Sequence, residues 1–145
     1  MTLVVDASIA AKWLVAEPGH DFASALLRSF PVTCAPDFVA IEVANVLWKK
    51  VRRGEMTASQ AESALDSLPK FFDFLPPARQ FVNRALQISI ALDHPIYDCL
   101  YLACAEREST KLATADARLV NKCVGSPFAP RIVFVDRAID PASLA

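Results

Sequence analysis

Short, mostly apolar runs alternate with stretches of helical periodicity, and this alternation constrains the fold more than any other feature of the chain. The runs are bounded by turn-forming residues, as is typical of buried strands. They are Leu3–Val5, Val32–Ala35, Lys111–Thr114 and Ile132–Val135. Because strands separated by helices pair in parallel and need cover on both faces, the sequence predicts an α/β fold, a three-layer α/β/α domain with a short parallel sheet flanked by helices.

The helical stretches carry start and stop signals. A capping box opens one helix at Thr57, with Gln60 three residues on, and Gly54 ends the helix before it. The segment 71–75 forms either a strand or an apolar connector. The length of 145 residues predicts one domain over residues 1–136 and a tail at 137–145. The predicted helices span residues 8–15, 21–30, 38–53, 57–69, 78–92, 95–108 and 117–121.

Composition excludes several kinds of site. The three glycines are too far apart for a Rossmann or P-loop phosphate site. The four cysteines form no C-x-x-C pair and the two histidines are not grouped with them, which argues against zinc and for reduced thiols packed as small apolar side chains. Because the apolar runs are too short for a bilayer and no secretory signal is visible, we expect a cytoplasmic protein without membrane association.

The charge balance at first argues against a nucleic-acid partner. Lys and Arg total 15 and Asp and Glu total 16, which gives a formal net charge of −1. Nucleic-acid-binding domains usually carry a basic surplus. The positions of the acids matter more than their number, however.

Four acids stand where a parallel sheet would bring carboxylates together. Asp6 directly follows the first predicted strand, and Asp116 lies two residues beyond the third. In open α/β sheets the ligand crevice lies beyond the carboxyl ends of the strands. Asp98 falls in the first turn of a predicted helix, and Glu42 lies in a helix that is apolar almost all the way round. Together these positions predict a converging acidic cluster.

Each acid also has a purely structural interpretation. Asp6 and Asp116 could be helix N-caps, and Asp98 could be favoured there by the helix dipole. Glu42 could reach toward Lys49 or extend to solvent. Residue by residue these interpretations stay open, whereas the joint arrangement favours the cluster.

Clustered carboxylates indicate a bound cation, because they repel each other and raise one another's pKa. All-oxygen ligation favours Mg²⁺ or Mn²⁺. Such an ion polarises a phosphoryl oxygen and activates water, which suits phosphodiester hydrolysis. Setting the four acids aside leaves an excess of three basic residues, since Lys and Arg total 15 against 16 acids. The near-neutral charge is therefore compatible with cleavage of a nucleic acid.

Four motifs follow one another along the chain. They are Val4–Ser8, Pro36–Asp37 leading to Glu42–Leu47, His94–Ala103 and Thr114–Leu119. In this order and spacing they resemble PIN-domain ribonucleases, in particular the VapC-type toxins of prokaryotic type II toxin–antitoxin modules. The resemblance runs from the first strand to about Asp136.

The resemblance implies an endoribonuclease that depends on Mg²⁺ or Mn²⁺ and acts through an acidic tetrad. It also implies hydroxyl groups that brace the tetrad. Carried over by position, the residues are the primary metal ligands Asp6 and Asp98, the third acid Asp116, Glu42 acting through water, the bracing Ser8 and Thr114, and Asn45, which orients Glu42.

The resemblance also implies a homodimer formed through the early helices and a cognate antitoxin whose tail covers the acidic cleft. Some large apolar residues of the early helices are candidates for an interface, although the core is the commoner place for such side chains. They are Trp13, Leu14, Phe38, Val39 and Trp48. A basic run either complements the dipole at a helix end or contacts the RNA backbone. It comprises Lys49, Lys50, Arg52 and Arg53.

Two other functions remain open. A non-catalytic PIN-like interaction module would keep the fold without turnover. A phosphatase of the aspartyl-phosphate type also places Asp after the first strand, but it normally needs a second acid two residues later, where this chain has Ser8.

Overall fold

A parallel sheet forms the centre of the protein. The computed structural model describes residues 2–135. Within this range the strands are β1 (Thr2–Val5), β2 (Val32–Cys34), β3 (Lys111–Thr114) and β4 (Ile132–Phe134), in the spatial order β2-β1-β3-β4. Each neighbouring pair is parallel. The predicted parallel sheet is therefore confirmed, with strand ends within one residue of those expected from the sequence.

Helices cover the sheet and complete the predicted α/β/α arrangement. Among the described residues they are α1 (Ala7–Leu14), α2 (His20–Ser29), α3 (Val39–Arg52), α4 (Ala58–Ser67), α5 (Val82–Leu92), α6 (Ile96–Arg107) and α7 (Ala117–Cys123). Helix α6 packs against β1 and β3, and α5 packs on α6. Helix α1 contacts β3 and also α2 and α3. The most deeply buried helix is α6, in which every residue from Cys99 to Ala105 is buried.

Local signals set the helix ends as the sequence predicts. Thr57 and Gln60 form the capping box of α4 in both directions. Gly54, just beyond α3, adopts a φ of 74°, a conformation that favours glycine, and its N–H donates to the carbonyl of Val51.

The segment 71–75 is neither a strand nor a plain connector. It forms a single bridge, between Phe74 and Cys34, and follows a 3-10 turn at Leu68–Phe71. Asp73 accounts for the short pairing, because its carboxylate accepts from the N–H of Thr33 at 2.8 Å and its own N–H donates to the carbonyl of Thr33 at 2.9 Å. The edge of β2 is thus satisfied by one residue instead of by a ladder.

The core takes up part of the predicted interface. Trp13 is 6% exposed and Val39 fully buried, so the interface interpretation is wrong for these two residues. The indole N–H of Trp13 donates to the carbonyl of Ala23 at 2.7 Å. Trp48, by contrast, is 53% exposed, and the guanidinium of Arg52 lies over its ring.

The four cysteines are free thiols and all are buried, as predicted. The helices in the described part of the chain include none with the length and apolar character needed to cross a membrane. The expected tail at 137–145 lies outside the described residues.

Candidate active site

The predicted acids line one cavity of about 550 Å³ at the carboxyl end of the sheet. Asp6 directly follows β1 and Asp116 follows β3, and these two strands are neighbours. Glu42 and Asp98 come from the first turns of α3 and α6. Ser8, Asn45 and Lys49 line the same cavity. The structure therefore brings the four acids to one cleft.

Asp6 is the most deeply buried of these acids, with 3% of its surface exposed. Burial raises the pKa of its carboxyl to about 7, with a smaller contribution in the same direction from Asp98. Hydrogen bonds from the hydroxyls of Ser8 and Thr114 and from the N–H of Ile9 lower the pKa and offset part of the effect. Without a cation, Asp6 is thus a carboxylate whose charged form is poorly solvated.

Ser8 and Thr114 link the two strand ends that carry the acids. The Ser8 hydroxyl donates to the Asp6 carboxylate and accepts from the N–H of Ala115 at 2.9 Å. The Thr114 hydroxyl accepts from the N–H of Asp116 at 3.0 Å. Both hydroxyls therefore fix the separation between the β1–α1 and β3–α7 junctions.

The N-cap interpretation and the site interpretation hold together for two of the acids. The Asp6 carboxylate caps α1 by accepting from the N–H of Ile9 at 3.2 Å. Asp116 caps α7 by accepting from the N–H of Arg118 at 2.9 Å. Both carboxylates line the cavity while they cap, so the two roles do not exclude each other.

Asp98 is held by a histidine. The Nε2 atom of His94 lies 2.6 Å from a carboxylate oxygen of Asp98, and the His94 side chain is only 8% exposed. Asp98 also borders a second cavity, of about 540 Å³, which is lined by the cationic side chains of Arg118 and Lys122. The carboxylate thus stands between the acidic cleft and a basic hollow.

Glu42 is held by a tyrosine. The hydroxyl of Tyr101, a fully buried residue, donates to Oε1 of Glu42 at 2.7 Å. Burial raises the pKa of Glu42, and Asp98 and Asp116 raise it further, while the Tyr101 hydrogen bond lowers it. In the described part of the chain the partner of this carboxylate is Tyr101 and not Asn45 or Lys49. Asn45 nevertheless lines the same cavity.

Sequence reasoning missed His94 and Tyr101. His94 precedes Asp98 by four residues, a spacing at which side chains can meet, so the pair could have been suspected. Tyr101 lies on α6 and contacts a residue of α3, and no sequence spacing predicts a contact between helices so far apart.

The donor set fits Mg²⁺ or Mn²⁺ in chemistry but is not gathered around one point. Carboxylate and hydroxyl oxygens are the ligands that these ions prefer. Within residues 2–135, however, no three His, Cys, Asp or Glu side chains form a ready-made metal group. Each carboxylate instead accepts hydrogen bonds from its own neighbours, so a cation would replace some of these bonds on binding.

The basic run divides between two surfaces. Lys49 lines the cleft, whereas Lys50 pairs with Glu17 and, at 3.5 Å, with Glu55. Successive residues of a helix point about 100° apart, which separates these neighbours. The structure therefore does not bring Lys50 to the cleft, and it places Arg52 on the ring of Trp48.

Comparisons with known proteins agree with this arrangement. A family model described as the PIN domain matches residues 3–124. Ribonuclease VapC3 of Pyrobaculum aerophilum is 36% identical over 124 residues, which cover 84% of this chain and 95% of that protein. Ribonuclease VapC1 of Mycobacterium tuberculosis is 30% identical over 118 residues, 80% of this chain and 86% of that one.

The fold is also shared with a solved structure. The crystal structure of PAE2754 from Pyrobaculum aerophilum aligns with a TM-score of 0.67 at 22% identity, over 91% of this chain and 83% of that one. The match to the family model and the two relatives cover most of the sequence, including all four acids of the cleft. The chain therefore belongs to the PIN-domain family, and within it to the VapC type.

Proposed function

We propose that the protein is an endoribonuclease that hydrolyses RNA phosphodiester bonds with Mg²⁺ or Mn²⁺ and acts as the toxin of a toxin–antitoxin pair. The observation that carries the proposal is the set of four carboxylates lining one cavity at the carboxyl end of the sheet. The relatives named ribonucleases support the choice of RNA.

The side chains divide the work in the proposed reaction. Asp6 and Asp98 would hold the cation, with Asp116 beside them. The chemistry that a bound Mg²⁺ or Mn²⁺ supplies is polarisation of the phosphoryl oxygen and a more acidic attacking water. Ser8 and Thr114 keep the two strand ends in place through their hydrogen bonds.

Glu42 is suited to accept the proton of the attacking water. Burial raises its pKa, which makes the carboxylate a stronger base. The Tyr101 hydroxyl fixes Oε1 and so orients the group. Its second oxygen can then accept a proton from a water in the cavity.

Substrate binding gives a test that separates two adjacent lysines. In a cleavage-deficient Asp6→Asn background, Lys49→Ala should weaken RNA binding and lower the slope of log Kd against log salt by about 1, because one phosphate contact is lost. Lys50→Ala should leave that slope unchanged. It should instead lower the free energy of unfolding by about 1 kcal/mol, since Glu17 loses its partner.

The measurements for the lysine pair are fluorescence anisotropy with labelled RNA at several salt concentrations and urea unfolding. An equal change in salt slope for both variants would contradict the placement of Lys49 alone in the cleft.

The proposal includes two protein partners, a cognate antitoxin that covers the acidic cleft and a second copy of the chain. The exposed ring of Trp48 remains available for an interface. Expression of the chain in the cytoplasm of a bacterial host should arrest growth, and a small protein encoded beside it should relieve the arrest. Harmless expression of a protein that is active in vitro would reject the toxin role and leave the nuclease role standing.

The activity itself is tested by incubating the purified protein with total cellular RNA, with and without EDTA, and mapping the cut ends. We expect discrete cuts that EDTA abolishes and that added Mg²⁺ or Mn²⁺ restores. The cut positions would identify the target RNA. Intact RNA in the presence of Mg²⁺ and Mn²⁺ would overturn the proposal.

A further inference from the structure

An exposed tyrosine stands at the rim of the acidic cleft. Tyr97 directly precedes Asp98 and lines the cleft, yet 59% of its surface is exposed. Ile41, on the α3 side of the same cavity, is 70% exposed. Large apolar side chains rarely remain exposed beside a cluster of carboxylates unless they serve binding.

The Tyr97 ring is held in place from behind. Its plane lies 21° from that of Phe38, with ring centroids 6.1 Å apart, which is a stacked arrangement. Phe38 in turn packs on the fully buried Tyr101 at 5.7 Å. Tyr101 is the residue that holds Glu42. A continuous aromatic series therefore connects the exposed ring to one of the four carboxylates of the cleft.

This arrangement has the properties of a stacking surface for a base. A ring that is already immobilised loses little conformational entropy when a second ring stacks on it. Lys49 on the same cavity wall provides a positive charge for a phosphate. The other exposed apolar residues of α5, Val82, Leu86 and Ile90, do not line the cleft and offer no aromatic face.

We propose that Tyr97 stacks on the base of a nucleotide next to the scissile phosphate and so makes the cleft select unpaired RNA. This inference rests on the proposed ribonuclease function. Only an unpaired base can present its face to a protein ring, because in a duplex both faces are covered by neighbouring bases. Stacking of this kind is tolerant of sequence, since every base has a π-face.

Binding can be measured without cleavage by placing each variant in the Asp6→Asn background. The probe is a short, unstructured, fluorescently labelled oligoribonucleotide of mixed sequence, and the readout is anisotropy. Tyr97→Leu should raise the Kd for the single strand about tenfold, within the range found for loss of one stacked base. Tyr97→Phe keeps the ring and should bind like the parent.

Two further arms make the test specific. The same strand annealed to its complement should bind more weakly to the parent, and Tyr97→Leu should remove most of this preference. Val124→Ala, a change at a residue that is 72% exposed and does not line the cleft, should have no effect on binding.

Equal Kd values for the parent and Tyr97→Leu, or no binding by the parent, would overturn the inference. If the wild-type protein still cleaves RNA in that case, the proposed function survives and only the role of Tyr97 falls. A change in oligomeric state of Tyr97→Leu without a change in RNA binding would assign the ring to a protein interface instead.

Discussion

Replacing Asp6 by Asn is expected to slow RNA cleavage by about a thousandfold or more while the protein stays folded. The loss follows from the position of Asp6 as a proposed cation ligand, because stabilisation of transition-state charge by a metal is worth several kcal/mol. About 1.4 kcal/mol corresponds to each factor of ten in rate. The measurement is the single-turnover rate of RNA cleavage at saturating Mg²⁺.

The fold should tolerate this substitution for two reasons. Asn is as good an N-cap as Asp, so the bond from the N–H of Ile9 to the side chain at position 6 can be kept. The substitution also replaces an acid that is 3% exposed with a neutral amide of the same shape. Circular dichroism and urea unfolding check this point.

A matched control is available on α4. Glu62 is exposed and does not line the cleft, so Glu62→Gln makes the same chemical change away from the site. This variant should cleave RNA at the wild-type rate. If Asp6→Asn cleaves as fast as Glu62→Gln, the assignment of the acidic cleft is wrong.

The second large effect concerns stability in the absence of a cation. The pKa of Asp6 is raised from 3.8 to about 7 by burial, so the native state holds a proton that the unfolded state has released. The associated stability is fully present below pH 3.8 and is lost as the pH rises toward 7. Between pH 5.5 and pH 8 the metal-free protein should lose about 2 kcal/mol of unfolding free energy.

Other groups do not reverse this sign in the chosen window. Burial raises the pKa of Glu42 as well, which adds to the loss. The pKa values of Glu17 and Glu106 are lowered by Lys50 and Arg84, so their contributions change below about pH 4.5, outside the window. The pKa of Cys99 is raised to about 12, above it.

The measurement is urea unfolding in EDTA at pH 5.5 and pH 8, for the wild type and for Asp6→Asn. The variant should show a clearly smaller fall in stability between the two pH values. Mg²⁺ added at pH 8 should restore stability to the wild type, because a ligand that binds only the native state shifts the unfolding equilibrium. Equal pH dependence in both proteins would show that Asp6 is not the titrating group.

Most of the fold could be predicted from the chain because its local signals agree with its tertiary structure. The β-branched runs became strands, and the capping box at Thr57 and the glycine at position 54 ended helices where expected. The segment 71–75 could not be assigned, because its pairing depends on Asp73 meeting Thr33, a contact between residues 40 positions apart.

The same distinction applies to the site. The four acids could be found because topology alone brings the ends of β1 and β3 and the starts of α3 and α6 to one edge of the sheet. The partners of these acids could not, since Tyr101 reaches Glu42 across 59 positions. Which way each lysine of the basic run points also depends on packing, in particular on Glu17.

The central claim is that the acids of the cleft bind a divalent cation together, and direct titration with Mn²⁺ tests it most directly. The free ion is followed by electron paramagnetic resonance as chelator-treated protein is added at pH 8. We predict that the wild type removes free Mn²⁺ from solution, that Glu62→Gln does the same, and that Asp6→Asn binds at least about tenfold more weakly, as the loss of one ligand carboxylate would cause. Equal Mn²⁺ binding by wild type and Asp6→Asn, or none by the wild type, would contradict the account.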